Sequence, residues 1–218
     1  MDVHELAPGF WYWYAPHPAW EPGENWPEGV LCAYYEAPDA LVLFDPLVPR
    51  GEEDEFWRAL DRDVERLGRP VRVLLTASWH DRDTALVVER YDADVWAHPE
   101  ARWKDESLEE HLRLPRPVLT ATSDLPSGVE AFLPDPNAEA QAMFFIREHR
   151  TLVTGDIFSG TGGRFHVLLN EDEPNLEAFV ASLHGLLELP IERVLIAHGE
   201  PVLNDGVARI REALESAG

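Results

Sequence analysis

At 218 residues with 45% hydrophobic content, the chain can bury a sizeable core, and a single domain spanning 1–218 is expected. Its 41 acidic residues against 18 basic ones give a net charge of −23, which repels phosphate backbones and anionic surfaces; this argues against nucleic acid and membrane as partners and leaves a small-molecule ligand. The lone Cys32 precludes an internal disulfide, no apolar run reaches bilayer length, and the N-terminus lacks the basic start and apolar core of a signal peptide, so the expected location is cytoplasmic.

Phe10-Trp11-Tyr12-Trp13-Tyr14 has the aromatic content of a strand, and the Pro- and Trp-rich stretch 15–27 reads as a loop. Its rings either cover a sheet end, form a contact between copies in a homo-oligomer, or wall a pocket, in which case Trp20 and Trp26 would touch the substrate. Residues 30–37 and 40–44 read as a hairpin that ends at Asp45-Pro46. The segment 51–67 is helical, with acidic residues in its first turn, Phe56, Leu60, Val64 and Leu67 on one face, and Gly68 to close it.

A buried strand over 71–75 follows, then a polar corner, then a helix over 84–91 that Asp81 or Asp83 can cap, then a core strand at 95–97. The stretch 100–114 is polar with weak helical periodicity. After Pro117, the short runs 118–121, 129–133, 142–146 and 151–154 predict a second set of strands. Pro174 opens an amphipathic helix carrying Leu176, Phe179, Val180, Leu183 and Leu187; a strand at 194–197 and a helix over 204–215 close the chain. Two sheets packed face to face with helices outside both account for this order.

Three pieces carry the chemistry: Leu-Leu-Thr-Ala-Ser-Trp-His-Asp-Arg at the corner, Leu-Val-Thr-Gly-Asp156, and Ile-Ala-His198-Gly-Glu-Pro. In this order, with Phe44-Asp45-Pro46 upstream, they resemble the metallo-β-lactamase superfamily, and the resemblance runs from about Phe10 to the C-terminus. It implies an α+β fold, a four-layer αββα sandwich, hydrolytic activity, and one or two metal ions at the sheet edges. The family motif His-x-His-x-Asp-His falls on Ala77, Ser78, Trp79, His80, Asp81 and Arg82, so only the aspartate matches, and neither Ala77 nor Trp79 can coordinate a cation. The family's next histidine falls near Asp135, Asn137 or Glu139, where no imidazole stands. The resemblance therefore implies a lost first metal site and a second reduced to Asp81, Asp156 and His198, with Arg82 in place of the remaining histidine.

Three accounts stay open. In the first, the protein is metal-poor, needs no cofactor and binds a small molecule against Trp79, Trp20 and Trp26. In the second, one zinc on Asp81, Asp156 and His198 serves a hydrolase of esters, lactones or thioesters, with His80, Asp81 and Arg82 as the catalytic candidates. In the third, the aromatic segment makes a structural or partner-binding domain. The corner residues have plainer readings too, since Asp81 can be a helix cap and His80 an ordinary hydrogen-bonded histidine. The Gly-rich stretch 159–163 lacks the ending of a phosphate loop and reads as a loop at the mouth of the site. Charge favours the metal-poor account: an inward guanidinium about 4 Å from a dication costs roughly 8 kcal/mol at an effective dielectric near 20. That account predicts a direct Arg82 contact to Asp81 or Asp156.

Overall fold

Alternation along the strands fixes the layers. Leu41 and Leu43 face one way and Val42 and Phe44 the other, and Val71 and Val73 oppose Leu74 in the same manner. In the computed structural model, which describes residues 2–137, 139–169 and 174–217, these two faces feed two separate cores.

The chain runs β1 (Asp2–Ala7), β2 (Phe10–Pro16), β3 (Gly29–Ala37), β4 (Ala40–Phe44), α1 (Glu53–Leu67), β5 (Val71–Leu74), α2 (Thr84–Tyr91) and β6 (Asp94–Ala97). Then come β7 (Arg102–Trp103), β8 (Glu106–Ser107), α3 (Leu108–Leu112), β9 (Leu119–Thr120), β10 (Val129–Phe132), β11 (Met143–Ile146) and β12 (Thr151–Val153). It ends with β13 (Phe158–Ser159), β14 (His166–Val167), α4 (Leu176–Ser182), β15 (Arg193–Leu195) and α5 (Gly206–Ala217). The first sheet has the order β1-β2-β3-β4-β5-β6-β9, antiparallel up to β4 and parallel beyond; the second has the order β10-β11-β12-β15, with β12 and β15 parallel.

Phe56 and Leu60 of α1 and Val87 and Val88 of α2 pack on the outer face of the first sheet. Phe44, Leu74 and Trp96 meet Phe144, Ile146 and Leu195 between the sheets, and Phe145 and Val194 face Phe179 of α4 and Ile210 of α5 beyond the second. Three cores between four layers make the expected αββα sandwich. Gly68 closes α1 in the left-handed conformation at φ 61°, as its position predicts.

Some elements differ from the sequence reading. β1 was not expected, because its Asp, His and Glu carry no apolar alternation; it is an edge strand, where charge is tolerated and guards against stray pairing. β9 does not open the second sheet: it lies parallel to β6 in the first, reached by a crossover that contains α3. The undecided stretch after residue 100 holds the β7–β8 hairpin and α3, which starts on a capping box of Ser107 and Glu110. Asp83 stands at the start of α2 without capping it; its carboxylate accepts from the Val48 amide at 2.8 Å and from Arg50 at 3.0 Å. Among the described residues no helix is long and apolar enough to cross a membrane.

Candidate metal centre

Strand ends deliver the polar residues to one edge of the sandwich. Asp45 follows β4 in a left-handed conformation, φ 48°, with its carboxylate turned inward to accept the Thr76 amide at 2.8 Å and the Thr76 hydroxyl. Beyond β5, Ser78–His80 forms a single 3-10 turn that buries His80. From the second sheet, Gly155 at φ +57° lies so close to Thr76 that an added Cβ would stand 2.2 Å from its hydroxyl. This approach carries Asp156 to His80. His198 follows β15, where its bridge to Val30 and the Leu31 amide bond to Ala197 O, 3.0 Å, join the two sheets.

Asp45 Oδ2 lies 3.0 Å from His80 Nδ1 and accepts its proton, leaving Nε2 directed at Asp156 Oδ2, 3.2 Å away. His198 Nε2 stands 3.3 Å from Asp156 Oδ1. The ligand-capable atoms of His80, Asp156 and His198 all lie within 4.8 Å of one another. Burial alone disfavours an imidazolium at His80, but the Asp156 and Asp45 carboxylates outweigh it and the Arg82 charge, lifting its pKa to about 9. Burial would likewise raise Asp156, yet the charges of His80 and His198 and the Trp79 indole N–H, 2.9 Å from Oδ2, hold it well below the usual carboxylate range. Burial pushes His198 down to about 4 against the pull of Asp156, so at neutral pH it keeps a free lone pair.

These features fit a cation. Asp156 Oδ1, a buried atom of the group that faces His198 Nε2, has no hydrogen-bond partner. His80 has the carboxylate behind its far nitrogen that metal-binding histidines characteristically have.

The sequence-derived candidates divide. Asp156 and His198 come together as the resemblance implies, and His80 joins them. Asp81, one residue on, points elsewhere: its Oδ2 pairs with His111 Nε2 at 2.9 Å. Arg82 makes neither predicted carboxylate contact. Held at φ 38°, it donates to the carbonyls of Asp45 at 2.9 Å and Leu31 at 3.2 Å, and to Cys32 Sγ at 3.4 Å, because the turn that sends His80 inward points Arg82 back toward β3. Asp135 is exposed, and Glu139 accepts from Gln141. Trp26 packs edge-on against His198 with centroids 5.0 Å apart, while Trp20 lies outside the cleft lining and donates its indole N–H to Trp26 O at 2.9 Å. The N-terminal aromatics therefore separate, with Trp13 in the outer core and Trp26 at the site.

His80, Asp156, His198, Arg82 and Trp26 wall a cavity of about 400 Å³ that also meets His17, Trp79, Trp103, Ser159 and Thr161. Sequence reasoning passed over Asp45, His17 and Trp103 as site residues; only Phe44-Asp45-Pro46 left a signal, read as a strand end and as part of the resemblance.

No family model and no curated protein sequence matches the chain. Solved structures do match. A metallo-β-lactamase from Erythrobacter litoralis with β-mercaptoethanol in the active site aligns at a TM-score of 0.68 and 15% identity, over 98% of this chain and 96% of that one. The chain has the metallo-β-lactamase fold. A metallo-β-lactamase from Pontibacter korlensis aligns at 0.66 and 15% identity over 98% of both chains, and a metallo-β-lactamase family protein from Thermus thermophilus at 0.58 and 19%, over 97% of this chain and 79% of that one. On this fold the His80, Asp156 and His198 group sits where the ends of both sheets meet.

Proposed function

We propose that the cleft is the active site of a small-molecule hydrolase using one divalent metal, held by His80, Asp156 and His198 instead of Asp81, Asp156 and His198. The observation that carries this reading is the convergence of two imidazole nitrogens and one carboxylate with Asp45 on the far nitrogen of His80. The carboxylate lies 3.2 Å from His80 Nε2 through Oδ2 and 3.3 Å from His198 Nε2 through Oδ1, which puts all three side chains within reach of one ion. Two histidines and a carboxylate also leave a coordination position open, as catalytic sites require.

A bound metal supplies carbonyl polarisation and a water acidic enough to attack near neutral pH. The protein's own residues prepare the rest. Asp45 fixes the tautomer of His80, and the Trp79 indole N–H orients Asp156. His17 Nδ1 accepts from the Ala19 amide at 3.3 Å, so Nε2 keeps its proton for donation to a substrate oxygen. Trp26, Trp79 and Trp103 narrow the cleft around an apolar acyl or alkyl group and exclude water. Esters, lactones and thioesters of small acids suit this combination.

A specific observation supports the second reading, a metal-poor binding cleft. Without an ion, His80 is already paired on both sides, by Asp45 and Asp156, and the Trp79 indole occupies one oxygen of Asp156. Metal analysis separates the two. Protein purified without chelator is expected to carry about one equivalent of zinc, removable by chelator; cobalt substitution should give visible bands that His198→Ala abolishes. Zinc well below stoichiometry after reconstitution would overturn the hydrolase and favour the metal-poor cleft.

A further inference from the structure

Asp81 is left over by the site described above, and its contacts give it a different task. Its carboxylate meets His111 Nε2 at 2.9 Å, and His111, on α3, lies stacked on Trp103 with centroids 4.7 Å apart and planes inclined by 24°. Trp103, on β7, walls the cleft together with Trp26 and Trp79. The β7–β8 hairpin and α3 pair with neither main sheet, as a two-stranded ribbon and a helix of one turn and a half, and Leu108 of α3 is buried in the outer core, against which Trp103 also packs. Burial of Leu108 holds the excursion at its base, and so short a hairpin and helix need a further contact to fix the orientation of a side chain such as Trp103. The contact from Asp81 through His111 to Trp103 runs from the corner that carries His80 to the cleft wall.

We infer that Asp81 is a positioning residue which, through His111, fixes Trp103 as the wall that sets how large an acyl group the cleft admits. For its selectivity consequence this rests on the hydrolase reading; the anchoring itself does not. An aromatic wall discriminates by packing and exclusion, so its release should favour bulky groups over small ones. Asp81 and His80 thus divide the corner: one turns to the reacting centre and its neighbour to the specificity wall.

The test uses full-length protein labelled with 5-fluorotryptophan, the Trp103 fluorine resonance being assigned by Trp103→Phe and that of buried Trp96 serving as the control for folding. In Asp81→Asn the Trp103 resonance should shift or broaden while that of Trp96 stays in place, and zinc content should match the unmodified protein. His111→Phe, which keeps a stacking ring but loses the hydrogen bond, should move the same signal. In zinc-loaded protein, kcat/KM for p-nitrophenyl octanoate relative to p-nitrophenyl acetate should rise about tenfold in Asp81→Asn. A Trp103 resonance unmoved by Asp81→Asn, or loss of zinc from that variant, would overturn the inference. If the unmodified zinc-loaded protein hydrolyses neither ester, the hydrolase reading fails on that result, while the fluorine spectrum still decides the anchor.

Discussion

The groove between α1 and the β1–β2 hairpin encloses about 600 Å³, against about 400 Å³ for the cleft at the strand ends, yet the smaller space gathers the ligand-capable His80, Asp156 and His198. Groove walls come from the middles of elements: Val3, Trp11 and Tyr34 on the sheet, Phe56 and Leu60 on the helix. Polar groups there satisfy one another, Arg66 bonding to Glu36 and Asp63 and the Tyr34 hydroxyl to Glu36. The ligand-capable residues of the cleft lie just past the strands, where the backbone has left the ladder, with left-handed turns nearby at Asp45, Arg82, Gly155 and Gly199. Freed of pairing, those segments aim unsatisfied atoms across the gap. Volume alone therefore does not mark a functional site; convergence of unpaired donors and acceptors does.

The largest effect should come from the cleft. Asp156→Asn removes the only carboxylate of the ligand group and should abolish stoichiometric zinc. Hydrolysis should fall about 10³-fold or more, since a metal supplies several kcal/mol of barrier lowering. At the groove, Leu60→Ala should cost about 2–5 kcal/mol of stability and leave zinc content unchanged. Metal analysis and calorimetry on the two variants check this contrast, and zinc loss in Leu60→Ala would dissolve it.

Next in size is the joint that carries Asp156 to His80. Gly155→Ala must place a methyl 2.2 Å from the Thr76 hydroxyl at φ +57°, so both sterics and backbone oppose it. A loss of about 3 kcal/mol is expected, lowering Tm by roughly 10 °C. Because Thr76 also holds Asp45, zinc affinity should fall in the same variant; thermal melts with and without added zinc measure both.

How much of this was legible depended on the range of the interactions. The helices α1 and α2 and the strands β3 to β5 announce themselves through local periodicity and caps, and Asp156 and His198 through short motifs at strand ends. The inward turn of His80 was not legible, because one 3-10 turn decides which of two adjacent residues, His80 or Asp81, faces the cluster. Asp81 and Trp103 meet through His111, 30 residues beyond Asp81, a contact with no local signature. The placement of β9 in the first sheet is likewise a matter of tertiary pairing, since its two residues carry no pattern that distinguishes one sheet from the other.

The smallest effect should appear at the groove rim. Arg66 bridges Glu36 and Asp63, with its side chain at 48% of full exposure, and Glu36 also receives the Tyr34 hydroxyl. The contacts form a dense network, but the guanidinium is half exposed, and the pairs are screened by salt and held at the cost of side-chain freedom. Removing the guanidinium leaves Glu36, whose side chain is 15% exposed at the groove rim, with the Tyr34 hydrogen bond. Arg66→Gln should therefore shift Tm by no more than about 2 °C, with the difference vanishing at high salt, and should leave zinc content and hydrolysis unchanged. A drop of about 6 °C or more, insensitive to salt, would show that the rim pairs hold α1 over the first sheet. The groove would then be a structural seam whose polar groups matter as much to folding as those of the cleft matter to chemistry.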